Sequence, residues 1–473
     1  MRRLAAAIAR HPLLLALVVA NVAVKIWLWP RTGHASFTGD EIYYHEAGQA
    51  IADLMRQVAT FQAPDTTLVR DSLVSDGSFL PGNAILLAPL YLLSPHADAA
   101  TTRLYLGVLT TVALFALAVF VHRRLGARAA GLLLVTGCVP MWAQFSYALW
   151  ADLMAGLVLV VLVLELLRVG LDWYAGRPLR LRTGVWIGVL AAGLLYLRSS
   201  SLPASLGALA LLLVGTLLLG RATWRRSLVA AALACVVFVA LLAPWSVTAS
   251  HYLGARVVTT TTLPLSRAVA FGHVDDVCFG PCPPGSIWTS SIRYSRGIAA
   301  LTGQSEVDVQ REMSAYALRD SDLRSWIAQV RGDFGRFVFK PGGFARRFEA
   351  RPAPPADSTH IRLVTWPTVV LYGALLVAFA LALLVVVRRG VRDQLALLLL
   401  KLFGAAALVQ PFVHISSGRY WPSFAPLLAV MAAVLLDLAR PGRRAEPGLR
   451  ILTVAQALVT GLVAVVAAVV LLG

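Results

Sequence analysis

The segment FTGDEIYYHEAGQAIADLM, residues 37–55, places two adjacent carboxylates, Asp40 and Glu41, beyond the first long apolar run. A positioned carboxylate can act as a general base when the attacking hydroxyl oxygen lies within about 3 Å. Apolar residues recur at helical spacing after the pair, which predicts an amphipathic helix with both acids in its first turn, where the helix dipole favours anions. These residues are Ile42, Ile51, Leu54, Met55 and Val58. The alternative is that both acids are solvated loop residues.

A third acid, Asp152, lies early in an apolar run whose only other acid is Glu165. Ionisable residues inside membrane segments are energetically costly, and they mark either a functional site or an ion pair. We expect Asp152 to be catalytic. A structural pair with an arginine is the alternative.

Three arginines lie near the ends of apolar runs or in the loop after the first run, namely Arg70, Arg198 and Arg419. A planar guanidinium donates two parallel hydrogen bonds to a phosphate, so these positions suit an anionic substrate. Arg198 and Arg419 adjoin apolar runs directly and are the stronger candidates. The alternatives are snorkelling to the membrane surface and an ion pair with one of the three acids.

The composition places these groups in a membrane protein. Hydrophobic residues make up 58% of the 473 residues, charged residues make up 14%, and the mean hydropathy is +0.73, which excludes an ordinary soluble protein. A bilayer core of about 30 Å needs roughly 20 apolar residues per helix. We predict an all-α polytopic membrane protein with about eleven transmembrane helices, at 13–29, 103–121, 129–147, 149–167, 184–198, 202–219, 227–247, 364–387, 395–413, 421–438 and 451–472. The shorter run 80–93 contains two prolines and is predicted to be interfacial or re-entrant.

Arginine is concentrated at the start of the chain and in alternate connections: Arg2, Arg3, 122–128, 168–182, 220–226, 388–392 and 440–450. Because short cytoplasmic loops accumulate Lys and Arg, we expect a cytoplasmic N-terminus in the inner (plasma) membrane, with loops 30–102 and 248–363 on the periplasmic side. The net charge of +18 is dispersed over these loops, which argues against nucleic-acid binding. A cleaved signal peptide over 1–35 is the alternative for the first run, and the length of the run and its Lys25 argue against it.

The loop 248–363 has structural features of its own. Cys278 and Cys282 lie close enough in sequence to form a disulfide in an oxidising compartment, whereas His273 alone provides too few further ligands for a metal site. Ser305 has an acid three residues later, which predicts a helix start. An apolar stripe from residue 323 onward predicts a helix that lies along the membrane surface or, as the alternative, packs on a small domain.

The order of these features resembles the GT-C superfamily of polyprenyl-phosphate-sugar-dependent glycosyltransferases, in particular the protein O-mannosyltransferase and lipid A aminoarabinose transferase families. The acidic pair in DEIYY is similar to the family's own pair after the first span. Similar stretches follow along 30–438: SFLPGNAILLAPLYLL, YALWADLM, LLYLRSSSLP, LLAPWSVTASHYLGARVVTTTT and SSGRYWPSFAPLLAV. The resemblance implies a single transmembrane domain over 1–473 with interfacial helices on its outer face. It also implies a membrane glycosyltransferase whose donor is a polyprenyl-phosphate-linked sugar.

The resemblance implies a role for each acid. Asp40 is the expected general base, while Glu41 orients the acceptor or pairs with an arginine, and Asp152 matches the family's second acidic position. Further substrate contacts are expected from residues in the matching stretches, namely Tyr44, His45 and Tyr420.

The sugar and the acceptor stay open, and the acceptor is a lipid, a glycan or a protein hydroxyl. The chain has no match for the lysine that aminoarabinose transferases use, nor for the MIR insertion of protein mannosyltransferases. No cofactor is expected, and a divalent metal is not favoured because no DxD-type cluster occurs. Donor, acceptor and membrane lipids are the expected partners. A transporter or flippase of lipid-linked sugars is the alternative function, although transporters concentrate ionisable residues near the bilayer midplane; a non-catalytic scaffold is a third.

Overall fold

The computed structural model describes residues 11–75, 77–285, 287–339, 358–414, 418–440 and 447–472. Arg2, Arg3 and residues 441–446 of the predicted cytoplasmic segments lie outside these ranges. Within them the chain is helical, with an isolated antiparallel bridge between Arg389 and Pro447. The principal helices, in chain order, are α1 (Pro12–Thr32), α2 (Asp40–Ala59), α3 (Gly82–Leu93), α4 (Ala99–Leu125), α5 (Ala127–Cys138), α6 (Asp152–Tyr174), α7 (Leu181–Leu197), α8 (Leu202–Leu218), α9 (Trp224–Leu253), α10 (Thr262–Phe271), α11 (Ile287–Thr302), α12 (Glu306–Ala317), α13 (Leu323–Phe339), α14 (Ser358–Leu384), α15 (Val391–Ala407), α16 (Ala425–Leu438) and α17 (Arg450–Leu472).

Among the described residues, eight helices are long and apolar enough to cross a membrane, and the shorter apolar helices α3, α5, α7 and α16 accompany them. The chain is therefore an all-α polytopic membrane protein, as its composition predicted. Each of the eleven predicted spans overlaps a helix. Those at 129–147, 184–198 and 421–438 correspond to α5, α7 and α16, which are shorter than the eight.

The predicted span 129–147 is not one continuous helix. α5 ends at Cys138, Val139 is extended, and Pro140 starts a helix of only five residues. A proline disfavours the helical conformation in the residue before it and lacks the N–H that a continuing helix needs. The chain then runs through turns until α6 begins at Asp152. This non-helical stretch reaches the candidate site.

Several arginine-rich connections lie together at one end of the bundle. The Arg124 carbonyl oxygen accepts a hydrogen bond from Arg392 Nη2 at 2.6 Å, and the Arg124 side chain pairs with Glu165 of α6 at 3.3 Å. Ser227 of α9 accepts a bond from the Leu179 amide, in the connection after α6, at 3.0 Å. We name this the arginine-rich end.

The opposite end carries α2 and the helices α10 to α13, and we name it the α2 end. The Thr261 amide, just before α10, donates to the Gly77 carbonyl oxygen at 2.9 Å. Val470, near the end of α17, packs with Phe271 of α10 and with Val330 of α13. The connection between α9 and α10 therefore lies against the connection between α2 and α3 at this end.

α2 begins at Asp40, and it turns its small residues toward the protein. Its buried side includes Ala47 and Gly48, and a methyl group on Gly48 would come within 3.0 Å of a Tyr91 ring carbon on α3. Large apolar residues that predicted the helix lie on the other side: Ile42, Met55 and Val58 are 44%, 49% and 60% exposed. A helix at a membrane surface is expected to present its apolar residues outward in this way.

Helices α10 to α12 form a small core of their own, built on Leu265, Val269, Val309 and Met313. Cys278 and Cys282, which join this core, form a disulfide. The side chain of Ser305 caps α12 by accepting a bond from the Asp308 amide at 3.1 Å, as its spacing predicted. These helices thus make a compact unit on the α2 end.

The apolar stripe of α13 faces protein at its centre. Val330 is fully buried, and Trp326 and Phe334 contact the ring of Phe412, with centroid distances of 5.8 and 5.5 Å. Leu323, at the start of the stripe, is 71% exposed. The central part of α13 therefore packs on Phe412 and on Val470 of α17 as well as on Phe271 of α10, so neither the membrane surface nor a small domain alone accounts for the stripe.

Candidate active site

Asp40 is the first residue of α2, and its side chain is half-buried. Gly39 precedes it with φ +58°, a backbone conformation that residues with a side chain rarely adopt, and it turns the chain into the helix. Helix N-termini favour negative charge. Asp40 is therefore a partly exposed carboxyl group at a helix N-terminus.

Glu41, the next residue, is fully buried in a bidentate ion pair with Arg103 of α4. Nη1 and Nη2 of Arg103 donate to Oε1 and Oε2 of Glu41 at 2.8 and 2.9 Å, and neither side chain is exposed. The guanidinium also donates to the carbonyl oxygens of Ala35 at 2.9 Å and of Ser36 and Tyr147 at 3.0 Å. All of its N–H donors are thereby used, as two buried charges require.

The Glu41 carboxylate also binds the backbone on both sides of the site. The Thr38 amide donates to Oε2 at 3.3 Å, and the Leu149 amide donates to Oε1 at 3.2 Å. Asp152 begins α6 shortly after Leu149. The Glu41–Arg103 pair therefore fixes the backbone that carries Asp40 relative to the backbone that carries Asp152.

Asp152 is buried and pairs with Arg198, the residue that follows α7. Arg198 Nη1 donates to Asp152 Oδ1 and to Ser423 Oγ, and Ser423 Oγ in turn donates to Asp152 Oδ1 at 3.3 Å. Arg198 Nε donates to Ser200 Oγ at 2.7 Å, and its guanidinium carbon lies 4.3 Å from the centre of the Tyr420 ring. An acid, two hydroxyls and an aromatic ring thus orient one guanidinium.

Of the three predicted arginines, Arg198 belongs to this cluster and Arg70 does not. Arg70 is exposed on the helical turn Val69–Val74, where it pairs with Asp71 at 2.7 Å. The Arg70 guanidinium holds the pKa of the Asp71 carboxyl below its usual value. The backbone of Arg419 belongs to the short turn before α16, and its side chain lies outside the described residues.

The predicted substrate residues on α2 contact neighbouring helices and loops. Tyr44 is 8% exposed and lies 5.3 Å from the ring of Phe79. His45 Nδ1 lies 2.6 Å from the Tyr91 hydroxyl of α3, and partial burial lowers the pKa of His45. These contacts anchor α2. A substrate contact for either residue stays a prediction.

Two residues of the site were not predicted from the sequence, Arg103 and Ser423. Arg103 stands at the first position of the predicted span 103–121, and a charged residue in an apolar run is itself a signal of function or pairing. Ser423 has no comparable signal, because a serine at the start of an apolar run is an ordinary helix-end residue.

A groove of about 290 Å³ runs between α8 and α15, and it is lined by Pro203, Ala204, Gly207, Ala210, Leu211, Val214, Leu402, Phe403 and Ala406. α8 follows Arg198 after a short turn, so the groove begins close to the Arg198 cluster in sequence. A larger surface cavity, about 540 Å³, lies on α14 between Arg362 and Ala374 and includes none of the candidate residues.

The α2 end of the bundle thus carries a half-buried carboxyl group, Asp40, and an oriented guanidinium, Arg198, and an apolar groove runs along α8 from Pro203 to Val214. Such a set suits the binding of an amphipathic anion and the removal of a proton beside it. In the part of the chain that the structure describes, no three His, Cys, Asp or Glu side chains group closely enough to hold a metal ion. The sequence of this chain matches no known protein family and no characterised protein.

Proposed function

We propose that this protein is a membrane glycosyltransferase that moves a sugar from a polyprenyl-phosphate-linked donor to an acceptor hydroxyl at the α2 end. The observation that carries the proposal is the division between two adjacent acids. Glu41 has both oxygens engaged in a buried clamp, whereas Asp40 remains half-buried at a helix N-terminus. Asp40 is therefore the acid with access to an acceptor, and it acts as the general base.

The donor phosphate binds beside Arg198. The leaving group of such a donor is anionic, and a guanidinium that is already oriented loses little further freedom when it binds a phosphate. Asp152, the predicted second catalytic acid, is assigned here to orienting Arg198, because its Oδ1 is engaged with both Arg198 and Ser423. Tyr420 supports the guanidinium from its ring face.

The apolar groove between α8 and α15 supports a lipid-linked donor. Small residues of α8, such as Ala204, Gly207 and Ala210, leave room on the apolar surface of the bundle. A prenyl chain lying there would bury apolar surface, while its phosphate would reach toward Arg198. A soluble sugar nucleotide would have no use for such a groove.

The membrane orientation is part of the proposal. With Lys and Arg concentrated in cytoplasmic loops, the arginine-rich end faces the cytoplasm, and the α2 end faces the periplasm or exterior of the inner (plasma) membrane. The disulfide between Cys278 and Cys282 at the α2 end supports this orientation, because disulfides persist in oxidising compartments.

Donor binding by Arg198 variants tests the phosphate site. Arg198→Ala is expected to weaken binding of a polyprenyl-phosphate sugar to the purified protein, and Arg198→Lys to restore only part, because a point charge cannot reproduce the guanidinium geometry. Arg293→Ala, which removes an exposed arginine of α11, is the matched control. Arg198→Ala leaves the buried Asp152 carboxylate without its cation and could therefore impair folding. The double variant Arg198→Ala with Asp152→Asn removes that buried charge, so weak donor binding by this variant reflects the lost guanidinium and not lost folding. Unchanged donor affinity in folded variants would remove Arg198 from the site.

Mass analysis of cell-surface lipids, glycans and proteins, with and without the gene, would identify the acceptor. A sugar that disappears from one class of molecule is the expected result. Unchanged profiles in all three classes, from cells that express the protein, would contradict the proposed transferase.

A transporter or flippase of lipid-linked sugars is the second candidate, and Lys25 favours it. This residue of α1 is 6% exposed, and its Nζ donates to Thr111 Oγ1 at 2.5 Å. Within the described ranges no carboxylate pairs with it, so it is a buried cation inside a membrane helix. Lys25→Met should leave sugar transfer intact in a transferase, whereas it should reduce lipid-linked sugar flux across vesicles in a flippase.

A further inference from the structure

Two connections at the arginine-rich end are held together as one surface. Ser227 Oγ, which is fully buried, accepts hydrogen bonds from the Trp173 indole at 3.3 Å and from the Leu179 amide at 3.0 Å. The connection between α6 and α7 therefore lies against the connection between α8 and α9. Besides Arg177, which pairs with Asp172, five exposed arginines lie in these two connections and in the helix starts that follow them. We name these five the double-loop patch: Arg180, Arg182, Arg221, Arg225 and Arg226.

The patch arginines have no acidic counterpart in the structure. Among the described residues, no carboxylate lies within ion-pair distance of any of the five. The nearest acids along the chain are engaged elsewhere: Glu165 pairs with Arg124 and Arg168, and Asp172 pairs with Arg177. The patch therefore carries an uncompensated positive charge.

The helix starts at the patch increase this charge. α7 and α9 both begin there, neither has a side-chain cap, and neither has an acid in its first turn. Arginines occupy first-turn positions instead, at Arg182 in α7 and at Arg225 and Arg226 in α9. Because the N-terminal dipole repels cations, these positions are unfavourable unless an external anion lies beside them.

Exposed apolar and aromatic side chains border the patch. Trp224 and Trp186 are 43% and 47% exposed, and Tyr174 and Leu181 are 53% and 54% exposed. Aromatic residues of this kind mark the level of lipid headgroups. Arg221, Arg225 and Arg226 lie at the start of α9, which is long and apolar enough to span a membrane, and Arg180 and Arg182 lie at the start of the shorter apolar helix α7. Their guanidinium groups are therefore expected near the headgroup phosphates.

We propose that the double-loop patch binds the headgroups of anionic phospholipids, with the lipid phosphate beside the starts of α7 and α9. The apolar border places the acyl chains against the helices, which a soluble polyanion would not require. The inference is independent of the proposed transferase function, because the patch lies at the opposite end of the bundle from Asp40 and Arg198.

Lipid retention by the full chain tests the proposal. The purified protein in detergent is titrated with phosphatidylglycerol or with phosphatidylcholine, and bound lipid is counted by native mass spectrometry. The patch variant carries Arg182→Gln, Arg225→Gln and Arg226→Gln. The control variant carries Arg267→Gln, Arg293→Gln and Arg324→Gln, three exposed arginines at the α2 end, and so loses the same charge.

We expect phosphatidylglycerol to bind more tightly than phosphatidylcholine to the wild type, and the patch variant to lose roughly tenfold or more in phosphatidylglycerol affinity. The control variant should bind like the wild type. Equal losses in both variants, or none in the patch variant, would overturn the proposal. So would binding of inorganic phosphate or heparin at the patch with no preference between the two lipids, because the partner would then be a soluble anion.

One further substitution separates lipid binding from general folding. Arg182→Glu places an acid in the first turn of α7, which the helix dipole favours. In lipid-free detergent it should raise the thermal unfolding midpoint, while it should lower the affinity for phosphatidylglycerol. A fall in both quantities would show that Arg182 is structural, and it would contradict the proposed site.

Discussion

Removal of the guanidinium of Arg103 is expected to be among the most destabilising single changes at the α2 end. Arg103→Met keeps much of the side-chain volume but removes every hydrogen bond that the guanidinium makes. The Glu41 carboxylate stays buried without its cation, and the carbonyl oxygens of Ala35, Ser36 and Tyr147 lose their donors.

The expected loss follows from burial. Breaking a fully buried ion pair by removing one partner costs about 3–5 kcal/mol of unfolding free energy, a large share of a typical total of about 5–15 kcal/mol. Glu41→Gln should cost a similar amount, because it leaves the Arg103 cation buried. The double variant should lose about 0.5–3 kcal/mol less than the sum of the two single variants, since the residues are directly coupled.

An exposed pair supplies the control. Arg311 and Asp308 lie 2.7 Å apart on α12, but their side chains are 53% and 50% exposed, so Arg311→Met should cost no more than about 1 kcal/mol. Unfolding in mixed micelles, followed by tryptophan fluorescence, gives all the values on one scale. A cost for Arg103→Met within about 1 kcal/mol of the control would refute the view that this pair holds the site together.

Three further outcomes are expected. Gly184→Ala should destabilise the bundle, because the added methyl would lie 2.1 Å from a backbone oxygen of α9. Gly193→Ala is the control and should not destabilise it, because open space surrounds its Cβ position. Thermal unfolding in detergent compares the two variants. Burial lowers the pKa of His45 from its ordinary value of 6.5, so the folded protein favours the neutral imidazole more than the unfolded chain does. The corresponding stability is fully present above pH 6.5 and is lost as the pH falls from there through the folded-state pKa. His45→Gln should remove this acid-side loss in a series of unfolding midpoints, and an unchanged pH profile would contradict the assignment. An impermeant thiol reagent should label Thr289→Cys from outside intact cells and leave Ala175→Cys unlabelled; the reverse would invert the proposed topology.

The sequence predicted the helices well because apolar content and length are local properties. Each predicted span overlaps a helix, and the starts of α2 and α12 follow from acids and a serine that favour helix N-termini. The break after α5 was missed because apolar character continues through Pro140, although the proline itself signals the interruption.

The pairing within the site could be predicted only in part. The sequence predicts an ion pair as the alternative role of both Asp152 and Arg198, but it offers several partners for each. The partner of Glu41 lies 62 residues away on α4, and nothing in the local sequence connects the two. The contact arises because the loop before α2, the start of α4 and the turns before α6 meet in space, which is a property of the tertiary fold.

The role of Glu41 shows the same limit in physical terms. Adjacent acids at a helix start point in different directions, since successive helical residues are about 100° apart around the axis. One of the pair therefore turns into the protein and the other toward the surface. The sequence cannot indicate which one turns inward, whereas the structure places Glu41 inside and Asp40 at the edge.

The most direct test of Asp40 as the general base is a comparison of donor binding and sugar transfer in purified Asp40→Asn. The substitution keeps the size of the side chain at the first helical position of α2, where Gly39 is the N-cap residue, so the protein should fold. Donor affinity should be retained, because removal of a negative charge does not weaken attraction for a phosphate. The rate of transfer should fall by about 10² to 10⁴, the scale of a lost acid–base group. Near-normal transfer by the folded variant would contradict the assignment of Asp40 as the base.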